Sequence, residues 1–213
     1  MRNCVGVLAV LLGGLLLSST AQASMMSRMG GLAAYDTELG ITWLTNPSTL
    51  NSGSLGTFAT MKAAVADFSL EVGGLVIDDW RLPEALHDVN QFNAPYPCVG
   101  TNTEAYCKSN EMSFMLYRNL GGGSGNGKTG DQAVDGVQFT DIKSVYWSGT
   151  EVSGRILVHS FSNAQIYLSG THLTAAAWAV RDGDVGATVP APATLLLVAA
   201  GLLGLGASRR RRH

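Results

Sequence analysis

Two apolar segments, one at each end of the chain, limit the part of the sequence that can fold as a water-soluble domain. The N-terminal segment runs from Val5 to Leu17 behind the positively charged Arg2, and the small-x-small pattern Ala21-Gln22-Ala23 follows it. This combination is typical of a cleaved secretory signal peptide. An apolar run of about 13 residues is also shorter than the roughly 17–25 residues that span a bilayer. We therefore predict a signal peptide over residues 1–23, with cleavage after Ala23.

The C-terminal segment from Ala193 to Ala207 is uncharged and rich in leucine. As a helix, about 15 residues extend roughly 22 Å, which crosses a bilayer when the flanking residues reach its interfaces. A cluster of positive charge follows and is expected to stop translocation and to stay cytoplasmic. The cluster consists of Arg209, Arg210, Arg211 and Arg212. We predict a C-terminal hydrophobic helix that holds the precursor transiently in the membrane.

The tail VPAPATLLLVAAGLLGLGASRRRRH resembles a PEP-CTERM sorting signal, which has a Val-Pro-x-Pro motif, a Gly- and Leu-rich helix and a terminal arginine cluster. Val189, Pro190 and Pro192 match the motif, and Ala191 stands where the family has its name-giving glutamate. The prolines favour an extended backbone, which suits a protease or transpeptidase cleft. The resemblance implies that an exosortase recognises and removes this tail, residues 187–213. It also implies delivery to the outer surface or exopolysaccharide matrix of a Gram-negative bacterium.

The segment between the two ends is acidic. Residues 24–188 hold nine of the 14 Lys and Arg residues and all 16 Asp and Glu residues, so their formal net charge is −7, against −2 for the whole chain. A negative surface argues against DNA, RNA or anionic lipid as a partner. A chain of about 165 residues forms one domain and buries on the order of 70% of its unfolded surface. We assign residues 24–186 to this exported domain.

Two cysteines, Cys98 and Cys107, remain in the domain once Cys4 leaves with the signal peptide. In an oxidising compartment an even pair is expected to form a disulfide. Closing a loop of about ten residues stabilises a fold by roughly 2.5–3 kcal/mol. The pair lacks the Cys-x-x-Cys spacing of zinc ligands. We predict a structural disulfide between these two cysteines.

Hydrophobic periodicity predicts strands and helices in the first half of the domain. Residues 31–44 have the pattern of two short strands around a Thr-Glu-Leu-Gly turn. Apolar residues at helical spacing predict an amphipathic helix over residues 57–70. Pro83 is expected in the first turn of a further helix. Another helix is expected behind a cap at Ser109 or Asn110 and ends at a run of glycines.

The second half contains short runs of β-forming residues, VYWSGT, RILVHSFS, AQIYLSG and AAAWAVRDGDV, separated by turn signals. Such runs predict β-strands joined by tight connections. We predict that they form an antiparallel sheet, flanked by two or three helices from the first half. The fold class is then α+β, in a single domain.

Several stretches, in order, resemble the Lcl C-terminal domain family: GLAAYDTELGITWL, DDWRLP, EMSFMLYRNLG, FTDIKSVYWSGTE and AWAVRDGDV. They cover residues 31–185. The resemblance implies a C-type-lectin-like fold, related to that of formylglycine-generating enzymes, and polysaccharide binding. The family's adhesin binds a sulfated polysaccharide, which the acidity of this domain argues against. Its motif residues are interpreted as mainly structural: Trp80, Arg81, Pro83, Trp147, Gly149, Trp178 and Arg181.

The stretch GGSGNGKT, Gly122 to Thr129, fits the P-loop pattern, in which backbone amides cradle phosphates. A P-loop lies between a buried strand and a helix. Here a predicted helix precedes the pattern, and the Gly- and Asp-rich GDQAVDG follows it. Six of the ten residues 121–130 are glycine, so a chance match is easy. We interpret the stretch as a flexible linker and not as a nucleotide site.

Candidate metal-binding and catalytic residues follow no recognised pattern. Asp131, Asp135 and Asp141 are candidates for Ca²⁺ but lack EF-hand spacing, so we expect no cofactor. Glycoside hydrolysis requires a pair of carboxylates, and the sequence does not identify one. The histidines of the domain lack zinc-site spacing and are expected at the surface or in hydrogen bonds. These are His87, His159 and His172.

Together, these patterns predict a non-enzymatic exported protein with an exosortase as its processing partner. We expect it to bind a polysaccharide or another matrix component, and to have no nucleic-acid partner. One alternative is a secreted enzyme of unknown reaction on the same fold. The other is a self-associating structural protein of the matrix.

Overall fold

The domain begins with short strands joined by tight turns. The structure, a computed structural model, describes residues 25–85, 98, 104–123 and 125–186. Its first elements are β1 (Met25–Arg28), a 3-10 turn (Met29–Gly31), β2 (Ala33–Asp36), β3 (Ile41–Leu44) and a second 3-10 segment (Pro47–Gly53). β2 and β3 pair antiparallel, and Gly40 has a φ of +70° in the turn between them. The hairpin predicted over residues 31–44 is confirmed.

Helix α1 (Phe58–Ala66) begins after Thr57, whose hydroxyl oxygen accepts a hydrogen bond from the Thr60 amide. This cap supplies a partner for one of the free amides at the helix N-terminus. The helix buries Met61 and Val65, which belong to the apolar stripe seen in the sequence. The predicted helix is confirmed but ends earlier than residue 70.

The chain after α1 continues in strands up to residue 77, and the helix expected at Pro83 is not formed. β4 (Leu70–Val72) and β5 (Leu75–Ile77) form a hairpin. The prediction that Pro83 begins a helix is wrong. Residues 82–84 form no helix, and Arg81 and Ala85 on either side form backbone bridges with Val180 and Asn110.

The helices in the middle of the chain are short. They are α2 (Glu104–Lys108), α3 (Glu111–Phe114) and a π-helical turn (Met115–Asn119) that continues α3. Of the two caps predicted, Asn110 is the one used, since its side-chain oxygen accepts a hydrogen bond from the Ser113 amide over 3.0 Å. Gly121 follows this helical segment with a φ of +64°, as expected for a glycine that ends a helix.

The rest of the domain is built from strands. These are β6 (Gly130–Val134), β7 (Val137–Ile142), β8 (Val145–Val152), β9 (Arg155–Ser160), β10 (Gln165–Ser169) and β11 (Val180–Asp182). Among the described residues, the strands form four antiparallel sheets. Their strand orders are β1-β2-β3-β11, β10-β9-β8, β4-β5 and β6-β7. Antiparallel sheets with a few short helices confirm the α+β class.

The topology differs from the predicted single sheet of the second half. The last strand, β11, joins the N-terminal sheet beside β3. The residues before β11 also bind to the end of β3. The Trp178 indole donates to the Leu44 carbonyl over 2.7 Å, and the Leu44 amide donates to the Ala179 carbonyl over 3.1 Å. Turn patterns do not report such a long-range pairing, so the sequence did not predict it.

Trp178 lies at the centre of the hydrophobic core. Its ring centroid lies 5.3–5.9 Å from those of Trp43, Phe139, Tyr146 and Phe161. Most of these pairs are edge-to-face or tilted, the geometry that aromatic quadrupoles favour. Because the rings come from β3, β7 and β8 as well as from connecting segments, this cluster joins separate sheets into one core.

The predicted signal peptide and C-terminal tail lie outside the described residues. The residues concerned are Ala21, Ala23, Val189, Pro190, Pro192, Arg209, Arg210, Arg211 and Arg212. Within the described part of the chain, no helix combines the length and the apolar character needed to cross a membrane.

Candidate functional site

The WRLP segment, residues 80–83, connects three parts of the fold. The backbones of Arg81 and Val180 exchange two hydrogen bonds of 2.7 and 2.9 Å, which attach the segment to β11. The Gly149 amide of β8 donates to the Pro83 carbonyl over 2.8 Å. Three of the stretches singled out in the sequence, around Trp80, Trp147 and Trp178, therefore meet at this segment.

A surface cleft of about 280 Å³ lies between α1 and the WRLP segment. Its floor is apolar and buried, and consists of Val65, Trp80 and Leu82. Its rim carries charged groups, from Lys62, Arg81 and Glu84. This volume is just below the usual range of about 300–1,000 Å³ for ligand pockets, so the cleft suits one ring-sized group or one side chain.

Gly149 borders the cleft where β8 is irregular, between Trp147 and Glu151. A Cβ built on this glycine would lie 3.5 Å from the Leu82 carbonyl oxygen, an ordinary contact distance. A methyl group at this position is therefore compatible with the backbone, and we expect a longer side chain to occupy part of the cleft.

Arg81 is held by two carboxylates at the edge of the cleft. Its guanidinium donates to both carboxylate oxygens of Glu111 over 2.7 and 2.8 Å, and to Asp182 over 2.6 Å. The hydrogen bonds to Glu111 raise the pKa of Arg81 above its usual value. Glu111 also accepts from the Glu84 amide over 2.7 Å. The charge of Arg81 is thus paired within the fold, and Lys62 is the rim cation that lies outside this network.

Arg181 forms a second bidentate ion pair, beside that of Arg81 and Glu111. It donates to the two oxygens of Asp79 over 2.7 and 2.8 Å. These hydrogen bonds lower the pKa of Asp79. The Asp79 side chain is 58% exposed, so solvent screens this pair more than the pair between Arg81 and Glu111.

The four tryptophans lie in the core. Trp43, Trp147 and Trp178 have no exposed surface, and Trp80 is 5% exposed. Three of the indole nitrogens donate to backbone carbonyls, for instance Trp147 to Gly56 over 3.0 Å. A tryptophan that stacks on a sugar presents a ring face to solvent, and none of these rings does so.

The predicted disulfide between Cys98 and Cys107 is confirmed, with Cα atoms 4.6 Å apart. Cys107 lies in α2 and is buried. The bond therefore attaches Cys98 to the helical part of the domain.

The Gly-rich stretch from Gly122 to Thr129 lies between a helix and a strand, which is the reverse of the P-loop arrangement. The Lys128 amide donates to the Phe161 carbonyl over 2.6 Å. A Cβ on Gly127 would lie 2.0 Å from the Ser162 carbonyl oxygen. Part of this stretch is therefore packed against the end of β9 and is not the flexible linker that we predicted.

The three aspartates considered for Ca²⁺ make separate contacts. Asp131 accepts from the Asp141 amide over 2.9 Å, Asp135 accepts from the Met25 amide over 3.0 Å, and Asp141 pairs with Lys143 over 2.7 Å. Among residues 25–85, 98, 104–123 and 125–186, no three His, Cys, Asp or Glu side chains converge as metal ligands would.

His159 is buried in β9, which contradicts the expectation of a surface or hydrogen-bonded histidine. It is 2% exposed and pairs in register with Tyr146 on β8 and Ile166 on β10. Its Nε2 has no hydrogen-bond partner in the described part of the chain. Burial lowers its pKa to about 3. At neutral pH it is an uncharged core residue.

Three residues at or beside the cleft carry no signal in the sequence that marks them as site residues: Lys62, Glu84 and Glu111. Lys62 follows Met61 on the solvent side of α1, which is the usual place for a lysine. The cleft forms because α1 packs beside the WRLP segment, and the β4–β5 hairpin separates the two along the chain. No local sequence pattern predicts that packing.

Comparisons with known proteins identify the C-terminal tail. A family model described as the PEP-CTERM protein-sorting motif matches residues 188–212. The match confirms the predicted sorting signal, and the motif implies exosortase-dependent export to the cell envelope or surface. No curated protein and no solved structure gives a match to the chain.

Proposed function

We propose that this chain, whose C-terminus carries a PEP-CTERM sorting motif, is a non-enzymatic binding protein of the outer surface or exopolysaccharide matrix of a Gram-negative bacterium. The observation that carries the proposal is the motif at residues 188–212, because such a signal places a protein where polysaccharide is abundant. The partner in this proposal is a polysaccharide or another matrix component.

The cleft between α1 and the WRLP segment is the binding site that we propose. Sugar rings have apolar C–H faces and polar hydroxyl edges, so they suit a cleft with an apolar floor and a polar rim. Lys62 and Glu84 supply a donor and an acceptor at that rim. The resemblance of the WRLP and YWSGT stretches to the Lcl C-terminal domain family, with its C-type-lectin-like fold, supports a polysaccharide partner.

Charge favours a neutral polysaccharide over an acidic or sulfated one. The domain has a formal net charge of −7 over residues 24–188, which repels polyanions at long range. Of the described residues that line the cleft, Glu84 carries the single carboxylate. Because glycoside hydrolysis requires two carboxylates, this composition supports binding without cleavage.

Binding is tested with variants that change the cleft without disturbing the fold. Gly149→Leu fills the cleft, and Gly170→Leu adds the same side chain at an exposed position with open space around it. We expect the secreted protein and Gly170→Leu to be retained on exopolysaccharide from its own matrix. We expect Gly149→Leu to lose about tenfold or more in affinity, since a leucine occupies the volume of the ligand.

Two results of this retention assay would count against the proposal. No retention of the unmodified protein on any native polysaccharide would remove the binding function. Equal retention of Gly149→Leu would place binding away from the cleft.

Sorting is tested by deleting Arg209 to Arg212. Without the charge that stops translocation, we expect the protein to be secreted but not sorted to the surface. Replacing the same four residues with lysine preserves the charge and should preserve surface delivery. Unchanged delivery of the deletion variant would contradict the role assigned to this cluster.

Self-association is a second candidate function, favoured by the β4-β5 hairpin. Leu75 and Val76 are 49% and 54% exposed, and in the described part of the chain each strand of this hairpin pairs only with the other. Open strand edges with apolar side chains favour pairing with another chain. Light scattering should then detect concentration-dependent association that Val76→Lys abolishes. A monomer at all concentrations would exclude this candidate.

A further inference from the structure

The last described residues of the chain are fixed to the N-terminal sheet. The Gly183 amide donates to the Gly40 carbonyl over 2.8 Å, and the Gly183 carbonyl accepts from the Thr42 hydroxyl over 2.7 Å. Val185 is buried, with 7% of its surface exposed. The Gly186 amide donates to the Asp184 carboxylate over 2.9 Å. We call residues 183–186 the anchor segment.

An ion pair between the two ends of the domain is the main side-chain contact of the anchor segment. Arg28 on β1 donates to both oxygens of Asp184, over 2.6 Å from Nε and 2.7 Å from Nη2. The two side chains are 17% and 15% exposed, and the hydrogen bonds to Asp184 raise the pKa of Arg28. Two-pronged contacts between charged groups are stronger than neutral hydrogen bonds.

Gly186 packs directly on this pair. A Cβ at Gly186 would lie 2.4 Å from Cδ of Arg28, so the backbone lies against the arginine side chain. The chain therefore leaves the folded domain beside β1 and is held there as far as residue 186.

The sorting motif begins at residue 188, so very little chain separates it from the anchor segment. Fully extended, the three residue-to-residue steps from Gly186 to Val189 span at most about 10 Å. A peptidase binds its substrate as an extended strand of several residues, and a folded domain so close to the motif competes with that binding. Cleavage of a chain held in a fold follows the population of its open form.

We infer that the Arg28–Asp184 ion pair limits access of the processing peptidase to the sorting motif. Processing proceeds from an opened form, in which the anchor segment has left β1 and extends the accessible chain. This inference rests on the proposed exosortase-dependent sorting. It adds that the folded domain itself sets the rate at which the tail is removed.

The experiment measures tail removal by pulse-chase of the full chain in cells that contain the exosortase. Asp184→Asn weakens the ion pair, and we expect the processing rate to rise about threefold to tenfold. A six-residue Gly-Ser insertion after Gly186 adds about 20 Å of reach and leaves the ion pair intact. It should give a similar rise, and Asp184→Asn should then have no further effect.

A control is Asp67→Asn, which makes the same substitution at an exposed residue at the end of α1. Its processing rate should equal that of the unmodified chain. Unchanged rates for both Asp184→Asn and the insertion, with normal processing of the unmodified chain, would overturn this inference alone. Absence of processing in every chain, including the unmodified one, would overturn the proposed sorting and this inference together.

Discussion

The buried histidine of β9 makes the stability of the domain depend on pH. His159 is neutral in the folded state, because burial lowers its pKa to about 3. In the unfolded chain a histidine has a pKa of about 6.5. Between these two values the unfolded state binds a proton that the folded state excludes. The free energy of unfolding therefore falls as the pH drops below about 6.5, and this loss ends near pH 3.

The size of the effect follows from the difference in proton binding. A pH of 5 is about 1.5 pH units below the pKa of an unfolded histidine. Each of these pH units lowers the free energy of unfolding by about 1.4 kcal/mol. His159 alone should thus lower the free energy of unfolding by about 2 kcal/mol between pH 7.5 and pH 5. Replacement by leucine removes the group that binds the proton. It also removes a buried nitrogen that has no partner among the described residues. The free energy of unfolding of His159→Leu should therefore fall by about 2 kcal/mol less between pH 7.5 and pH 5 than that of the unmodified protein.

The assay is urea unfolding at pH 7.5 and pH 5 for the unmodified protein, His159→Leu and the control His172→Leu. Other groups titrate equally in all three proteins and cancel, including the buried Asp36, whose pKa is raised by burial. His172 is exposed, so its replacement controls for the loss of an imidazole that does not lie in the core. The reasoning is refuted if His159→Leu loses as much stability at pH 5 as the unmodified protein. His159→Gln serves as a second variant if the leucine protein does not fold.

Three further tests, with four variants, concern the packing and charge contacts. Replacing Cys98 and Cys107 with serine should lower the free energy of unfolding by about 2.5–3 kcal/mol, and an unchanged urea midpoint would contradict this. Arg81→Leu leaves a buried glutamate unpaired and should cost about 3 kcal/mol. Arg181→Leu frees an exposed aspartate and should cost less than about 1 kcal/mol, so equal losses in urea unfolding would refute this ranking. Gly127→Ala places Cβ 2.0 Å from a backbone oxygen and should cost about 2 kcal/mol or more, which an unchanged melting temperature would disprove.

Local features of the fold were predictable from the sequence because they depend on neighbouring residues. The β2–β3 hairpin follows from two β-forming runs around a turn with Gly40. Helix α1 follows from apolar residues at helical spacing behind the cap Thr57. Cys98 and Cys107 form the predicted disulfide because no other cysteine competes for either of them in the domain.

Features that depend on distant segments were not predictable. Pro83 has the signature of a helix start, but its segment forms no helix and is flanked by backbone bridges to β11 and to Asn110. Likewise, the apolar residues Leu157 and Phe161 lie two positions to either side of His159 and share its strand face, but a histidine is polar enough that we expected it at the surface or in a hydrogen bond. The pairing of Arg81 with Glu111 joins residues 30 positions apart, and one sequence does not reveal which carboxylate an arginine will meet.

The candidate site contains one feature that the sequence predicts and one that depends on distant segments. The WRLP segment was recognisable as a motif, and its residues were interpreted as structural. The cleft beside it exists because α1 packs against that segment, and this arrangement depends on tertiary structure. Lys62 and Glu84 are ordinary surface residues in the sequence and become site candidates only through that packing.

The position of β11 beside β3 determines when the domain is able to fold. A chain that crosses a membrane from its N-terminus presents β1 to β3 first, yet the fourth strand of that sheet comes from the far end of the domain. Bringing such distant segments together carries a loop-closure cost and slows folding. The nascent domain therefore stays incomplete until almost all of it has emerged, and chaperones have the longest access to it during that interval.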